Sequence, residues 1–595
     1  MKINRLYKKL DRKLDKNVSN LYKINSSIEQ DLDKYFFKKI NKLISGPRII
    51  ISWLVLVVLL IFILLVQTYL LRDYYQTLSF VPGGSYSEGV LGTFSTVNPI
   101  YADSEFDNSV SRLIFAGLFS YNDKNQLIPA LASGYSVNSL GNVYTVNLKK
   151  GLVWQDNYPI TSQDVVFTFD TIENPNAQSP LFSSWQGINV KALGKYAVQF
   201  SLPDALASFP EQLTTGLLPY HLLNNIPPTE LRSASFNTTN PIGAGPFKWQ
   251  TISITGNSPT NAIEDIQLSP FNHFWQGVPK LNNFNIDAYA NKQDLINDFI
   301  SGKLNGIVGL NSVPQELKNI SDLKIYNFIL TSGVYLFFKT STGVLADSQA
   351  RSALEQSINI NKIISNLNYP THAVNEPLLE GQLAYNYAYH QAPYNFKNAQ
   401  NILNSDGWIL NKNGIRVKNG QELSFNLVVP NYNSEYMKVA SEIKDYFSKL
   451  GVDLNLIPLD STDFSNALNS HQYDSILYGI SIGIDPDVFV YWDSSQASIQ
   501  SATHLNLSEY SNQAADLSLE EGRTRLNPLL RTIKYEGFLK AWQQDVPAVG
   551  LYQPRVLYIT HGQINGLDNM VINTSSGRFN DVANWEILKA YVNDQ

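Results

Sequence analysis

The longest hydrophobic pattern in the chain is an uncharged apolar run from Ile49 to Leu71, IIISWLVLVVLLIFILLVQTYLL. At about 1.5 Å per residue, a helix of this length crosses a bilayer core of about 30 Å. A core helix of a soluble protein would show a polar face, and a signal peptide has a shorter apolar stretch of about 7–15 residues before its cleavage site. The pattern therefore predicts one uncleaved transmembrane helix over residues 49–71.

A second pattern covers residues 1–48, where apolar positions recur every three or four residues, as on one face of an amphipathic helix. This segment holds 13 Lys and Arg against 5 Asp and Glu, and such a basic flank predicts that it is cytoplasmic. The rest of the chain is then extracytoplasmic. Three uses fit the segment equally: a helix on the anionic inner leaflet, a helix paired with another helix, or a solvated juxtamembrane helix.

Strand and helix patterns alternate through the remaining residues, most clearly in YTVNLKKGLVWQDNYPITSQDVVFTFD, residues 144–170. Alternating apolar residues from Tyr144 to Leu148 predict a half-buried strand, and LVW predicts a second short strand. Asn157 suits a left-handed turn position. Thr161 with Asp164 three residues later predicts a capping box at the start of a helix.

Length and composition bound the function classes. The chain has 595 residues, enough for two to four domains. It has no cysteine, which excludes disulfides, thiolate zinc sites, Fe–S clusters and cysteine nucleophiles. The net charge is −6 although the head is basic, so the outer part is acidic and is not expected to bind nucleic acid. The sequence contains neither H-E-x-x-H nor a G-x-x-x-x-G-K-[ST] loop, and we predict no enzyme activity, no cofactor and no metal site.

Several motifs of the outer part, taken in order, resemble the extracytoplasmic solute-binding proteins of peptide and nickel ABC transporters (bacterial solute-binding protein family 5, the oligopeptide- and dipeptide-binding type). The resemblance begins with TVNPIYADSEFD and continues through LIFAGLFSYNDKNQLIPALASGYSV, the segment 144–170, NPIGAGPFKW, SPFNHFWQGVPKLNNF, DSQARSALEQSININ, YNFKNAQNILNSDGW and IDPDVFVYW. It covers about residues 90–590, which is nearly all of the outer part.

The resemblance implies an α/β fold, the periplasmic-binding-protein type II fold with an extra inserted domain, here preceded by a single N-terminal transmembrane helix. Lobe I is expected to comprise residues 82–127, 236–332 and 560–595, the inserted domain residues 128–235, and lobe II residues 333–559. In this fold the two lobes close on a ligand about a hinge.

The resemblance also implies a ligand site, and here the sequence departs from the family pattern. Peptide-binding relatives use an acidic residue just before the D-P segment, yet no acidic residue lies between Asp474 and Asp485. Ala116 replaces the usual glutamate, and Ile480 replaces the usual tryptophan. We therefore expect a pocket for less polar, uncharged or N-blocked ligands, or one that relies on backbone contacts. The predicted ligand-binding residues are Ala116, Gly117, Leu118, Tyr335, Phe337, Tyr478, Gly479, Ile480 and Ser481.

The function predicted from the sequence is that of a membrane-anchored extracytoplasmic receptor. It would capture peptides, or a related solute, by hinge closure and deliver them to the permease of an ABC transporter. Two alternatives stay open: a surface scaffold or adhesion protein that reuses the fold, and a receptor for a non-peptide solute such as a sugar or a nickel complex. The expected location is the cell membrane, with a single span and a cytoplasmic N-terminus.

Overall fold

The computed structural model describes residues 47–501 and 503–593 in two parts, each of which is described by itself. The first part contains the N-terminal helix together with the end of the chain, and the second part extends from Val81 to Leu588. The predicted amphipathic segment 1–48 lies, except for its last two residues, outside the described residues.

The first part is built around the helix Pro47–Tyr75. Within it, Ile50–Tyr69 is long and apolar enough to cross a membrane, judged by length and composition. The side chains of residues 51–69 are exposed, which is how the side chains of a single span face lipid. The strands Gln76–Val81 and Leu588–Asn593 form a two-stranded sheet in this part of the structure.

The largest sheet of the second part has eight strands among the described residues and mixes parallel and antiparallel pairs. Ser85–Leu91, near its centre, pairs in parallel with Asn283–Tyr289, with Glu88 opposite Ile286. In spatial order the strands are Val571–Ile572, Leu323–Leu330, Arg555–His561, Gly306–Val308, Ser85–Leu91, Asn283–Tyr289, Ile263–Pro270 and Phe247–Thr255. The strands come from four separate stretches of sequence, as expected for a lobe that the chain leaves and re-enters.

A second sheet, with five strands among the described residues, forms the core of the other lobe. Its central strand Ser332–Phe338 is antiparallel to Ser475–Ser481, with Tyr335 opposite Tyr478. Both faces of the central strand are buried, Val334 and Leu336 on one side and Tyr335 on the other, so the strand is apolar throughout. The spatial order is Asp453–Leu459, Ser424–Pro430, Ser475–Ser481, Ser332–Phe338 and Ala548–Tyr552.

The region of the predicted inserted domain contains a four-stranded antiparallel sheet among the described residues, in the order Ala132–Val137, Val143–Leu148, Ala197–Ser201 and Asn189–Gly194. The predicted strand at Tyr144 and the capping box at Thr161 are both confirmed, because the Thr161 N–H donates to Asp164 at 2.7 Å. Asn157 has φ 70° and takes the predicted left-handed conformation.

The second strand predicted in this segment, LVW, is wrong. Gly151 with φ +81° and Asn157 turn the chain on either side of it, and a single bridge, Val153 opposite Pro159, is the only ladder pair described there. Two neighbouring turns leave too little extended chain for a strand.

Helices cover the sheets and complete the two lobes. Those of at least eight described residues are Glu105–Ile114, Ser162–Glu173, Lys292–Ile300, Ser348–Ser357, Ile360–Leu367, Phe396–Ser405, Ser434–Leu450, Ser461–Ser470, Gln513–Thr524 and Pro528–Asp545. One-turn helices lie at Phe182–Trp185, Phe209–Gln212, Tyr220–Leu223, Pro228–Leu231 and Phe489–Trp492. The remaining described strands are Phe119–Tyr121, Leu127–Pro129, Ile409–Leu410, Arg416–Lys418 and Gln421–Glu422.

The chain crosses between the eight-stranded and the five-stranded sheets at two adjacent places. The first crossing is at Thr331, and the second is at Gln553 and Pro554, between Ala548–Tyr552 and Arg555–His561. The Gln553 side-chain amide donates to the Leu330 carbonyl at 3.0 Å and joins the crossings. The predicted boundary of lobe II at residue 559 is therefore too late, because Arg555–His561 pairs with Leu323–Leu330 inside the eight-stranded sheet.

Candidate functional site

A cavity of about 500 Å³ lies beside the crossings, within the range of about 300–1,000 Å³ that is usual for small-molecule sites. Its wall combines the end of helix Glu105–Ile114 and the loop after it with the segment 211–216 and the C-terminal segment 573–580. The polar side chains relevant to its chemistry are Arg112, Tyr121, Glu211 and Asn573.

Two motifs of the sequence position the loop 115–118 on this wall. Gln155, in the segment 144–170, donates to the carbonyls of Ile114, Gly245 and Phe247 at 3.1, 3.3 and 2.8 Å. Its side-chain oxygen accepts from the Gly243 N–H at 2.9 Å. A Cβ at Gly243 would lie 1.9 Å from the Ile114 carbonyl oxygen, so only glycine fits this close approach. The motifs are thus framework for the cavity wall.

The same loop is packed directly against the segment that carries Glu211. The Leu217 N–H donates to the Ala116 carbonyl at 3.0 Å. A Cβ at Gly117 would meet the Thr214 carbonyl oxygen at 2.5 Å, which explains why residue 117 has no side chain. This close backbone contact holds Glu211 at a fixed position on the cavity wall.

Glu211 is largely buried and faces the other lobe. Its carboxylate accepts hydrogen bonds from the Tyr121 hydroxyl and from the Asp485 N–H. Burial, together with the negative charges of Asp485 and Asp487, raises the pKa of Glu211 to about 7. A Cβ at Gly483 would lie 3.6 Å from the Glu211 carboxylate, so this carboxylate stands beside the segment in which the family pattern has its acidic residue.

The two nearby aspartates already have cationic partners. Asp485 forms a bidentate pair with Arg531, with both N···O distances 2.6 Å. Asp487 accepts from Arg523 at 3.1 Å and from the Ser208 hydroxyl at 3.1 Å. The bond from Ser208 joins the inserted region to the second lobe. In the part of the chain that the structure describes, no ion pair involves Glu211, so neither arginine neutralises it.

Arg112 lies elsewhere on the same cavity wall. Its guanidinium donates to the Ser120 hydroxyl at 2.7 Å and to the Asn580 side-chain carbonyl at 3.1 Å. Burial lowers the pKa of Arg112 to about 10, a value at which the group stays cationic near neutral pH. Among the described residues, its polar partners are neutral, and no carboxylate forms an ion pair with it.

The structure brings some of the predicted ligand-binding residues to the cavity and places others in the core. Gly117 lines the cavity and Ala116 lies next to it in the same loop. Leu118, Tyr335 and Phe337 are fully buried in the hydrophobic core. Tyr335 and Phe337 pack against Trp492, with ring centroids 5.9 and 5.7 Å apart.

The four predicted residues of the strand Ser475–Ser481 are divided in the same way. Ile480 is buried, Tyr478 and Gly479 are half-buried, and Ser481 is exposed at the end of the strand. The phenol of Tyr436 blocks the space beside Gly479, because a Cβ there would lie 2.6 Å from its hydroxyl. Whether these residues contact ligand stays a prediction.

Ser481 also belongs to the pentapeptide Gly479–Gly483, GISIG, which matches the G-x-S-x-G pattern of serine hydrolases. In those enzymes the serine stands on a sharp strand-to-helix turn and is activated by a histidine. Here no hydrogen bond joins a histidine to Ser481 within the described residues, and the Ser481 carbonyl accepts from the Tyr491 hydroxyl at 2.6 Å. The geometry gives no support to a hydrolase reading of this match. Nor do the described residues contain a group of three or more His, Asp or Glu arranged to hold a metal.

The charged residues of the cavity were missed by the sequence reasoning. Arg112 lies only four residues before Ala116 and could have been noted on the same helix end. Glu211 lies in SFPEQLTTG, a stretch without a recognisable motif, and its importance depends on contacts with residues that are distant in sequence.

Comparisons with known proteins bear directly on this architecture. The family model described as bacterial extracellular solute-binding proteins, family 5 middle, matches residues 126–501. The oligopeptide-binding protein AppA of Bacillus subtilis (strain 168) is 24% identical over 482 residues, covering 79% of this chain and 86% of that protein. Protein XP55 of Streptomyces lividans is 23% identical over 500 residues, covering 82% and 87%.

Solved structures share the fold. NikZ from Campylobacter jejuni, in complex with Ni(L-His), has a TM-score of 0.71 at 24% identity and covers 84% of this chain and 99% of that chain. AppA from Bacillus subtilis, in complex with a nonapeptide, has a TM-score of 0.68 at 22% identity and covers 85% and 99%. The type II periplasmic-binding-protein fold predicted from the sequence is confirmed.

Proposed function

Because the chain belongs to family 5 of the bacterial extracellular solute-binding proteins, we propose that it is a membrane-anchored receptor that captures peptides outside the cytoplasm and passes them to an ABC permease. Family membership makes it a substrate-binding protein of the peptide and nickel type, a family that is not enzymatic. The choice of peptide as ligand and the mode of anchoring are the finer parts of the proposal.

The observation that carries the proposal is the cavity of about 500 Å³ beside the two crossings. Two sheets joined only at Thr331 and at Gln553–Pro554 can rotate about these crossings, which is the geometry of a hinge. A ligand favours the closed form only through contacts that it makes there and loses on opening. We place those contacts at Ala116 and Gly117, and at the exposed end of strand Ser475–Ser481.

Anchoring is supported by the helix Ile50–Tyr69 and by the basic residues before it. The helix has the length and composition of a span, and the excess of Lys and Arg in residues 1–48 orients that end toward the cytoplasm. The lobes then stand on the extracytoplasmic side, where they can receive solutes and meet the outer face of a permease.

The proposal is tested by thermal unfolding of the full chain in detergent, with and without added solutes. A ligand that binds only the native state raises the Tm by mass action. We expect a tripeptide or hexapeptide mixture with free ends to raise the Tm in a concentration-dependent manner. A rise with sugars or with nickel and histidine, and none with either peptide mixture, would reject the peptide assignment. No rise with any of these solutes would favour the scaffold alternative.

A further inference from the structure

The cavity contains two charges of opposite sign that the described residues leave unpaired. Glu211 supplies a carboxylate whose hydrogen-bond donors are the Tyr121 hydroxyl and the Asp485 N–H. Arg112 supplies a guanidinium whose acceptors are the Ser120 hydroxyl and the Asn580 amide. Both side chains line the same cavity of about 500 Å³.

Such an arrangement is costly unless something else completes it. A buried charge without a partner of opposite sign loses most of its hydration energy and regains little of it from neutral donors or acceptors. The other charged groups near Glu211 cannot help, because Arg531 and Arg523 are bound to Asp485 and Asp487. A ligand with a cation at one end and an anion at the other would pair both cavity charges.

Tyr121 holds the two charges in one field without neutralising either. Its hydroxyl donates to Glu211, and its ring system lies close enough to Arg112 for the two groups to interact electrostatically. Gly483 leaves the Glu211 carboxylate accessible from the second lobe, because a side chain at residue 483 would contact it. The carboxylate is therefore positioned, desolvated and open on one side.

We propose that this cavity binds a zwitterionic solute with free amino and carboxyl ends, its ammonium on Glu211 and its carboxylate on Arg112. The inference rests on the proposed function and narrows its ligand class to short peptides. Both charged ends must fit within about 500 Å³, which disfavours long peptides. Bidentate pairing of guanidinium with carboxylate and charge-assisted pairing of carboxylate with ammonium provide the recognition.

The inference revises the expectation from sequence that the pocket suits uncharged or N-blocked ligands. That expectation followed from the lack of an acidic residue between Asp474 and Asp485. In the folded chain, Glu211 reaches the same place from the opposite wall, next to Gly483. A carboxylate is thus present although the local sequence does not contain one.

The test uses the full chain in detergent and four tripeptide mixtures of the same composition. Their ends are free, N-acetylated, C-amidated or blocked at both ends. The concentration that gives half of the maximal rise in Tm is measured for each mixture. We expect the free mixture to bind most tightly and each single block to weaken binding by about tenfold or more, the loss of one charge-assisted contact.

Variants assign each end of the ligand to its partner. Glu211→Gln should bind the free and the N-acetylated mixtures equally while it still prefers a free carboxylate. Arg112→Gln should lose only the preference for a free carboxylate. Glu211→Asp and Arg112→Lys keep the charges and should retain part of each preference, which separates loss of recognition from loss of folding. The exposed residues Glu536 and Arg525 give matched controls, Glu536→Gln and Arg525→Gln, which should behave as wild type.

Each outcome decides between the two claims. Equal binding of all four mixtures by the wild type would overturn the zwitterion inference and leave the peptide receptor intact. A Glu211→Gln chain that still discriminates against N-acetylated peptides would overturn the role of Glu211. Failure of every mixture to raise the Tm would contradict the proposed peptide function itself, and the inference with it.

Discussion

At the scale of single residues, Gln155 shows how a framework motif serves the site. One side chain satisfies three carbonyls and one N–H in two separate loops. It is buried, so no water can replace these bonds without rearrangement, and each buried polar group left unpaired costs about 1–3 kcal/mol.

We therefore expect Gln155→Ala to loosen the loop 115–118 and the turn 243–247. The amide of Gly245, which donates to the Ile114 carbonyl at 2.7 Å, should lose protection in hydrogen–deuterium exchange. Gln163→Ala, at an exposed position of the neighbouring helix, is the matched control. Unchanged protection at Gly245 in the Gln155 variant would show that the two loops hold their positions without this side chain.

Glu211 makes a second prediction at this scale, about pH. The pKa of Glu211 is about 7 in the folded chain and lies above its usual value of 4.5. The folded state therefore binds the proton more tightly than the unfolded state, and stability from this group is lost as pH rises from about 4.5 to about 7. Glu211→Gln removes that loss, so the Tm of the variant minus that of the wild type should increase between pH 5 and pH 8.

Taking the difference between the two proteins isolates Glu211. Other carboxyl groups with raised pKa values, Glu355, Glu376 and Asp287, titrate in both proteins and cancel. The groups facing Glu211 are Tyr121, Asp485 and Asp487, with the two aspartates paired to Arg531 and Arg523. A Tm difference that is the same at both pH values would contradict the raised pKa.

Residue-level predictions from the sequence succeeded where the cause is local. The left-handed Asn157 and the bond between Thr161 and Asp164 depend on neighbours within a few positions. Glu211 could not be found in this way, because its environment is made by Tyr121 and by the backbone at residues 483–485, far away in sequence.

At the scale of elements, period and length predicted well and short strands did not. The strand Val143–Leu148 and the helix Ser162–Glu173 follow the expected alternation and cap. LVW failed because turns at Gly151 and Asn157 decide the local geometry. Tyr335 and Phe337 were expected at the ligand, but the central strand Ser332–Phe338 has core on both faces.

The N-terminal helix gives a prediction at this scale. Leu60→Arg places a charge near the middle of Ile50–Tyr69, at a cost of about 2.5–3.5 kcal/mol for insertion. We expect a smaller fraction of the chain to resist carbonate extraction from membranes. Leu78→Arg, the same change at an exposed position beyond the helix, should extract as wild type. Equal extraction of both variants would argue against residues 50–69 as the anchor.

At the scale of the whole molecule, the order of strands could not be read from local patterns. The eight-stranded sheet combines residues 85–91 with strands beyond residue 247 and beyond residue 555, and only the ordered resemblance to a family anticipated such a discontinuous lobe. The core of that lobe is continuous with the core of the four-stranded sheet, so the inserted region stabilises the wall that carries Glu211.

The opposite charges of the cavity also belong to this scale. Arg112 comes from the end of the helix Glu105–Ile114, Glu211 from the inserted region, and the Asp485 N–H from the second lobe. Only the complete arrangement of lobes brings them together, which is why the sequence indicated a pocket poorer in charge than the one that the fold forms.

The central claim, that this receptor captures short peptides with free ends, is tested most directly by native mass spectrometry of the full chain purified from its membrane. We predict bound species whose masses, after release and sequencing, are those of short peptides with unmodified amino and carboxyl ends, and we predict that Glu211→Gln purified in the same way retains much less of them. Release of a sugar or a nickel complex, or of the same peptides in equal amount from the variant, would contradict the account.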